Sequence, residues 1–122
     1  MRLPKLDKLV IPVEKLSKYS LDTINEPDKA LAFKLALGFN ASDVKLLIEK
    51  IKLGVTIFSA TDKQICEWGQ RYQVIIKMKG HGEKTANVLT AWIDDKITDE
   101  MRLTSAYITN KEVLVNDADK TV

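Results

Sequence analysis

Few side chains in this chain of 122 residues have the chemistry of a reactive site. Its one histidine, His81, sits between Gly80 and Gly82. It could serve as a general base, although a solvated turn residue is the commoner occupant of such a place. Its one cysteine, Cys66, is a possible nucleophile, but nothing in the sequence brings His81 beside it, and a half-buried structural thiol is the simpler reading. Asp94, Asp95, Asp99 and Glu100 could hold a hard cation or form a solvated hairpin loop. One Cys and one His make no zinc site and no internal disulfide. No phosphate loop or dinucleotide motif is present, so no metal and no cofactor is expected.

The elements that must position these groups fall into two blocks. Leu9-Val10-Ile11 reads as a short strand or extended arm. Pro12 opens a short helix, Val13 to Tyr19, with Glu14 and Lys18 at i,i+4 spacing. Asp28 to Leu37 reads as a helix with almost no polar face, expected to be central and buried, with Gly38 at its C-terminal cap. Lys29, at its positive end, could meet a phosphate or simply reach to water. Ser42 is the expected N-cap of a helix from Asp43 to about Leu53, with Val44, Leu47, Ile48 and Ile51 on one stripe and Gly54 at its end.

Beyond Gly54 the period shortens to two. Val55–Ala60 reads as a strand and Thr61–Gly69 as a polar connection. Strands are expected over Gln70–Lys79, Lys84–Ile93 and Arg102–Thr109. Helices in a block followed by strands in a block mean an α+β domain, residues 1–109, with helices on one face of a mostly antiparallel four-stranded sheet. Residues 110–122 read as a polar, flexible tail.

A two-residue turn at His81-Gly82 would pair Val74 with Leu89 and Tyr72 with Ala91. Tyr72, Val74, Ile76, Leu89, Ala91 and Ile93 would then face the helices. Arg71, Gln73, Thr90 and Trp92 would share the open face, joined by Arg102 and Thr104 or by Ser105 and Tyr107. Such a face can hold single-stranded nucleic acid, with bases on aromatics and arginine on phosphate. It is also what a sheet shows when an exposed Arg merely packs over a Trp. A slip of one residue would exchange the second strand's faces and bury Thr90.

Composition narrows the class without deciding it. Hydrophobic residues make up 45% and charged residues 30%, an ordinary globular mix. The net charge of +2 permits a polyanionic partner without arguing for one, and a dedicated DNA-binding domain would be more basic. No stretch approaches the roughly 20 apolar residues of a membrane span. The start, Met1-Arg2-Leu3-Pro4-Lys5, lacks a signal peptide's apolar core, so the protein is expected to stay where it is made or to travel within something larger.

An ordered series of short motifs resembles a family of small uncharacterised bacterial domains: Arg2-Leu3-Pro4, Val10-Ile11-Pro12, Glu14-Lys15-Leu16, Asp28-Lys29-Ala30 with Phe33, and Ala36-Leu37-Gly38-Phe39. Gly69-Gln70-Arg71-Tyr72, Thr90-Ala91-Trp92-Ile93 and Arg102-Leu103-Thr104-Ser105-Ala106-Tyr107 complete it. Members occur as standalone genes and as carboxy-terminal cargo of polymorphic toxins and phage-related proteins. That setting implies a cytoplasmic toxin, or one delivered into a target cell's cytoplasm, with an antitoxin or immunity protein as partner. The order of elements is also similar to the barnase–EndoU–colicin–RelE group of ribonucleases. The resemblance therefore implies a metal-independent endoribonuclease. Arg71, Lys29, Thr104, Tyr107 and His81 are its candidate catalytic residues, and Trp92, Thr90, Gln73 and Ser105 would bind RNA. The alternative is a non-enzymatic protein-binding module, such as the neutralising partner or a phage-related interaction protein. The family commonly has His-Lys-Ala where this chain has Asp28-Lys29-Ala30, so Asp28 departs from its pattern.

Overall fold

The structure, a computed structural model, describes residues 1–122 except the side chains of Lys18 and Tyr19. The expected Glu14–Lys18 pair thus lies outside the described residues. Helix α1 (Val13–Lys15) follows Pro12 and widens into a π-helical turn, Leu16–Ser20. Helix α2 (Pro27–Leu37) has Pro27 in its first turn, where the missing N–H costs nothing. It ends on Gly38 at φ 72°, a left-handed conformation that favours glycine. Only Ala30, Phe33 and Leu37 of α2 are buried, while Leu31 and Leu35 are 52% and 65% exposed. The expected all-round burial fails because α2 forms an outer layer over a single sheet.

Asn40, rather than Ser42, caps the next helix. Its Oδ1 accepts from the Ser42 N–H and its own N–H donates to Asp43 Oδ2, both at 2.9 Å. A 3₁₀ turn, Ala41–Asp43, leads into helix α3 (Val44–Ile57). Gly54 does not end α3, which runs on through the first half of the expected strand Val55–Ala60. A Cβ at Gly54 would lie 2.6 Å from Ile76 Cδ1. The glycine lets the helix approach the sheet closely.

Among the described residues the strands form one five-stranded mixed sheet, in place of the expected four. They are β1 (Leu9–Val10), β2 (Ala60–Cys66), β3 (Gly69–Lys79), β4 (Thr85–Asp95) and β5 (Glu100–Thr109), in the order β1-β5-β4-β3-β2. β1 runs parallel to β5, and the other neighbours are antiparallel. β2 occupies the stretch expected to be a polar connection. It is a bulged edge strand, irregular between Asp62 and Ile65, so its residues show no two-residue alternation.

The β3–β4 hairpin carries the main correction. Gly80 N–H bonds Lys84 O, closing a three-residue turn, His81-Gly82-Glu83, with Gly82 at φ 67°. One residue more in the turn shifts the register by one. Tyr72 pairs with Trp92, Val74 with Thr90 and Arg71 with Ile93. The tip is fixed by α2: His81 N–H donates to Leu37 O at 2.9 Å, and a Cβ at Gly80 would lie 2.1 Å from that same oxygen. Val74, Ile76, Met78, Val88, Trp92, Leu103 and Ala106 therefore join Phe33, Leu37, Leu47, Ile51 and Phe58 in the core.

Residues 110–122 contact the body at several points. Asn87 Nδ2 donates to Lys111 O at 3.0 Å and Lys77 Nζ to Ala118 O at 2.7 Å, so the chain crosses the sheet face opposite the helices. The buried Asp117 accepts from Ser59 N–H at 2.8 Å. Val122 exchanges two backbone hydrogen bonds with Lys77 and Lys79, covering the part of β3 that β2 leaves unpaired.

Candidate functional site

A cleft opens where the N-terminal turn of α2 meets β5. Lys29 is the third residue of α2, and its Nζ stands 5.9 Å from the centroid of the Tyr107 ring. On one side of Lys29 is a cavity of about 300 Å³ lined by Asp28, Ala32, Tyr107 and Ile108. On the other is one of about 100 Å³ lined by Lys15, Ser20, Thr104 and Ser105. A bulge in β5 sets both hydroxyl residues near Ala91, because Ala91 pairs with Ser105 and Trp92 with Leu103. Ser20 Oγ donates to Ala106 O at 2.6 Å, which ties the π-helical turn to the β5 edge and shapes the cleft floor.

The expected site residues separate into four groups. Lys29, Thr104, Ser105 and Tyr107 come together in this cleft. The Thr104 hydroxyl is already committed as donor to Ala91 O at 3.1 Å, so it offers a ligand lone pairs only. Arg71 and Gln73 lie on the open sheet face with Ala91, Gln73 two strands and so about 10 Å from Ser105, and Arg71 farther off along β3. Trp92 and Thr90 are on the other side of the sheet, both 0% exposed, so neither can touch RNA. The expected Arg71–Trp92 pair does not exist, because the register shift turned β4 over.

His81 is remote from this cleft. Its N–H is bound to the last residue of α2, about 12 Å along the helix axis from Lys29. Its ring rests edge-on against Phe39, centroids 5.3 Å apart, and its Nε2 lies 2.9 Å from Asp43 Oδ1. The Asn40 N–H, helped by His81, holds the Asp43 carboxyl below its ordinary pKa. The Cys66 thiol is pushed down chiefly by the Trp68 N–H, with the Gly69 N–H and Arg71 adding to it against a desolvation penalty.

Ser20 and Lys63 escaped the sequence reading, since one lay between the two expected helices and the other in a presumed connection. Among the described residues, no three His, Cys, Asp or Glu side chains gather as metal ligands, and no helix is long and apolar enough to cross a membrane.

The architecture defines a small α+β domain with helices over one sheet face and a lysine–tyrosine cleft at the β5 side. Residues 2–110 match a family described as a domain of unknown function (DUF6883), and the chain belongs to that family. No curated protein and no solved structure matches the chain.

Proposed function

We propose that this chain is a toxin-type endoribonuclease domain that cuts RNA at the Lys29 cleft, with lysine rather than a metal supplying the positive charge. The observation that carries this reading is the meeting of Lys29 with Asp28 and Tyr107 at one cavity and with Ser105 at the cavity on its other side. An ammonium, a carboxylate, a phenol and a hydroxyl are the groups that phosphodiester transfer requires. The substrate's 2′-oxygen attacks phosphorus. A P–O2′ bond forms as the P–O5′ bond breaks, leaving a 2′,3′-cyclic phosphate and a 5′-hydroxyl. Asp28 takes the 2′-hydroxyl proton, Tyr107 protonates the leaving 5′-oxygen, and Asp28 returns a proton to Tyr107 through solvent. Lys29 offsets the charge that grows on the non-bridging oxygens, while Ser105 donates to one of them.

Such an activity works in the cytoplasm, either of the cell that makes the protein or of a cell that receives it. It calls for a neutralising antitoxin or immunity protein. The test is expression alone, followed by incubation of the purified protein with tRNA and mRNA. Growth should stop, both RNAs should be cut, and Lys29→Ala should relieve both effects. Harmless expression together with intact RNA would overturn the reading.

A second reading, a non-enzymatic protein-binding module, is favoured by a different observation. Leu31 of α2 is half exposed beside an apolar cavity of about 280 Å³, lined also by Leu21, Pro27, Ala30 and Phe39. On that reading Leu31→Glu abolishes partner binding and Lys29→Ala changes nothing.

A further inference from the structure

We infer a second phosphate site, formed by Arg71 and Lys63, that makes single-stranded RNA the substrate class of the Lys29 cleft; this rests on the ribonuclease reading above. The β2 bulge places Lys63 and Gln64 beside Arg71 and Gln73 around a cavity of about 240 Å³. The Gln70 side-chain amide donates to Lys63 O and steadies the bulge.

The charges here are open to an anionic ligand. Lys5, Lys8, Arg102 and Lys120 are each paired with carboxylates, whereas among the described residues Arg71 and Lys63 have no carboxylate partner, and the Arg71 side chain lies against the Cys66 thiol. A guanidinium and an ammonium with no carboxylate partner on one surface favour a phosphate.

The route between the two sites is also on the surface. Ser105, Ala91 and Gln73 lie opposite one another on β5, β4 and β3, so they form a row across the open face. Ala91 lies at its middle, where a larger side chain would obstruct the path. Residues 111–118 cross the same face farther along, at Asn87 and Lys77, and close that direction. A strand held at Lys29 is thus led across Ala91 toward Arg71. Two strand spacings, about 10 Å, separate Ser105 from Gln73 along this row. A flexible single strand can follow that path, whereas a rigid duplex has no groove here to enter.

The test compares cleavage of a dinucleotide with that of an oligonucleotide of about eight residues, within the ~4–16 nucleotides typical of single-strand sites. Arg71→Ala and Lys63→Ala should each lower kcat/KM on the longer RNA about tenfold more than on the dinucleotide, mostly through KM. Each should also reduce the salt dependence of binding by about one phosphate contact. Equal losses on the two substrates, or none, overturn the second site and leave the cleft reading standing. Wild-type protein that binds the longer RNA through Arg71 without cutting it supports the surface and overturns the cleavage reading. Binding of an acidic peptide through Arg71, with no binding of RNA, overturns both.

Discussion

The indole N–H of Trp92 donates to the Thr90 hydroxyl at 2.8 Å, and that hydroxyl donates in turn to Val74 O at 2.8 Å. Both residues are fully buried. The threonine gives the indole N–H its partner beneath the helices and ties both to β3. Thr90→Val keeps the shape but strands the indole N–H, at a cost of about 1–3 kcal/mol. Thr90→Ser should retain most of the stability. Urea unfolding followed by tryptophan fluorescence measures both, and an unchanged midpoint for the valine variant contradicts the role.

Gly54 and Ile76 meet closely. A Cβ at position 54 would fall 2.6, 2.8 and 2.9 Å from three carbons of the Ile76 side chain. Gly54→Ala gains about 1 kcal/mol of helix propensity yet should destabilise the protein overall, since overpacking costs typically ~1–3 kcal/mol. Adding Ile76→Ala removes the clash, so the double variant should lose less than the two single losses summed. Thermal melts of the four proteins decide it.

Acid should loosen the fold below about pH 4. Lys5, with Lys8, holds the Asp99 carboxyl down to about 2. The Asn40 N–H and His81 lower Asp43. Burial pushes Asp117 up, but the Ser59 N–H and Lys120 outweigh it and the net direction is down. A carboxyl with a depressed folded pKa contributes stability that is complete above its unfolded value, near 4, and is lost as pH falls through the folded value. Urea midpoints should therefore drop between roughly pH 4 and 2. Asp99→Asn and Asp117→Asn should each flatten that slope. Asp117→Asn should also speed exchange of the Lys79 N–H, which Val122 protects.

His81 is a clamp between the hairpin tip and the α2–α3 junction, so its replacement separates structure from chemistry. His81→Ala should lower the melting temperature slightly and leave RNA cleavage unchanged. Lys29→Ala should leave the melting temperature nearly unchanged and lower cleavage by about 100-fold, the scale of losing one transition-state stabiliser. A loss of cleavage in the His81 variant without loss of fold would move the chemistry away from the cleft.

Helix α2, strands β3 to β5, the α+β order and family membership were legible in the chain itself. Each rests on local information: apolar spacing, a glycine cap, alternation along a strand, and short motifs in order. The sequence also named Lys29, Thr104, Ser105 and Tyr107, but grouped them with Arg71, His81 and Trp92, which lie elsewhere in the fold. Whether Trp92 faced solvent or the core turned on one residue in the hairpin. That register was decided by contacts of Gly80 and His81 with Leu37, more than forty positions earlier in the chain. Side chains alternate with a period of two, so a shift of one reverses a whole strand's faces. The continuation of α3 past Gly54 was likewise hidden, because the glycine answers to Ile76 across the core and not to its own helix. The cleft exists only once α2 lies along β5, and no local pattern encodes that contact between distant segments.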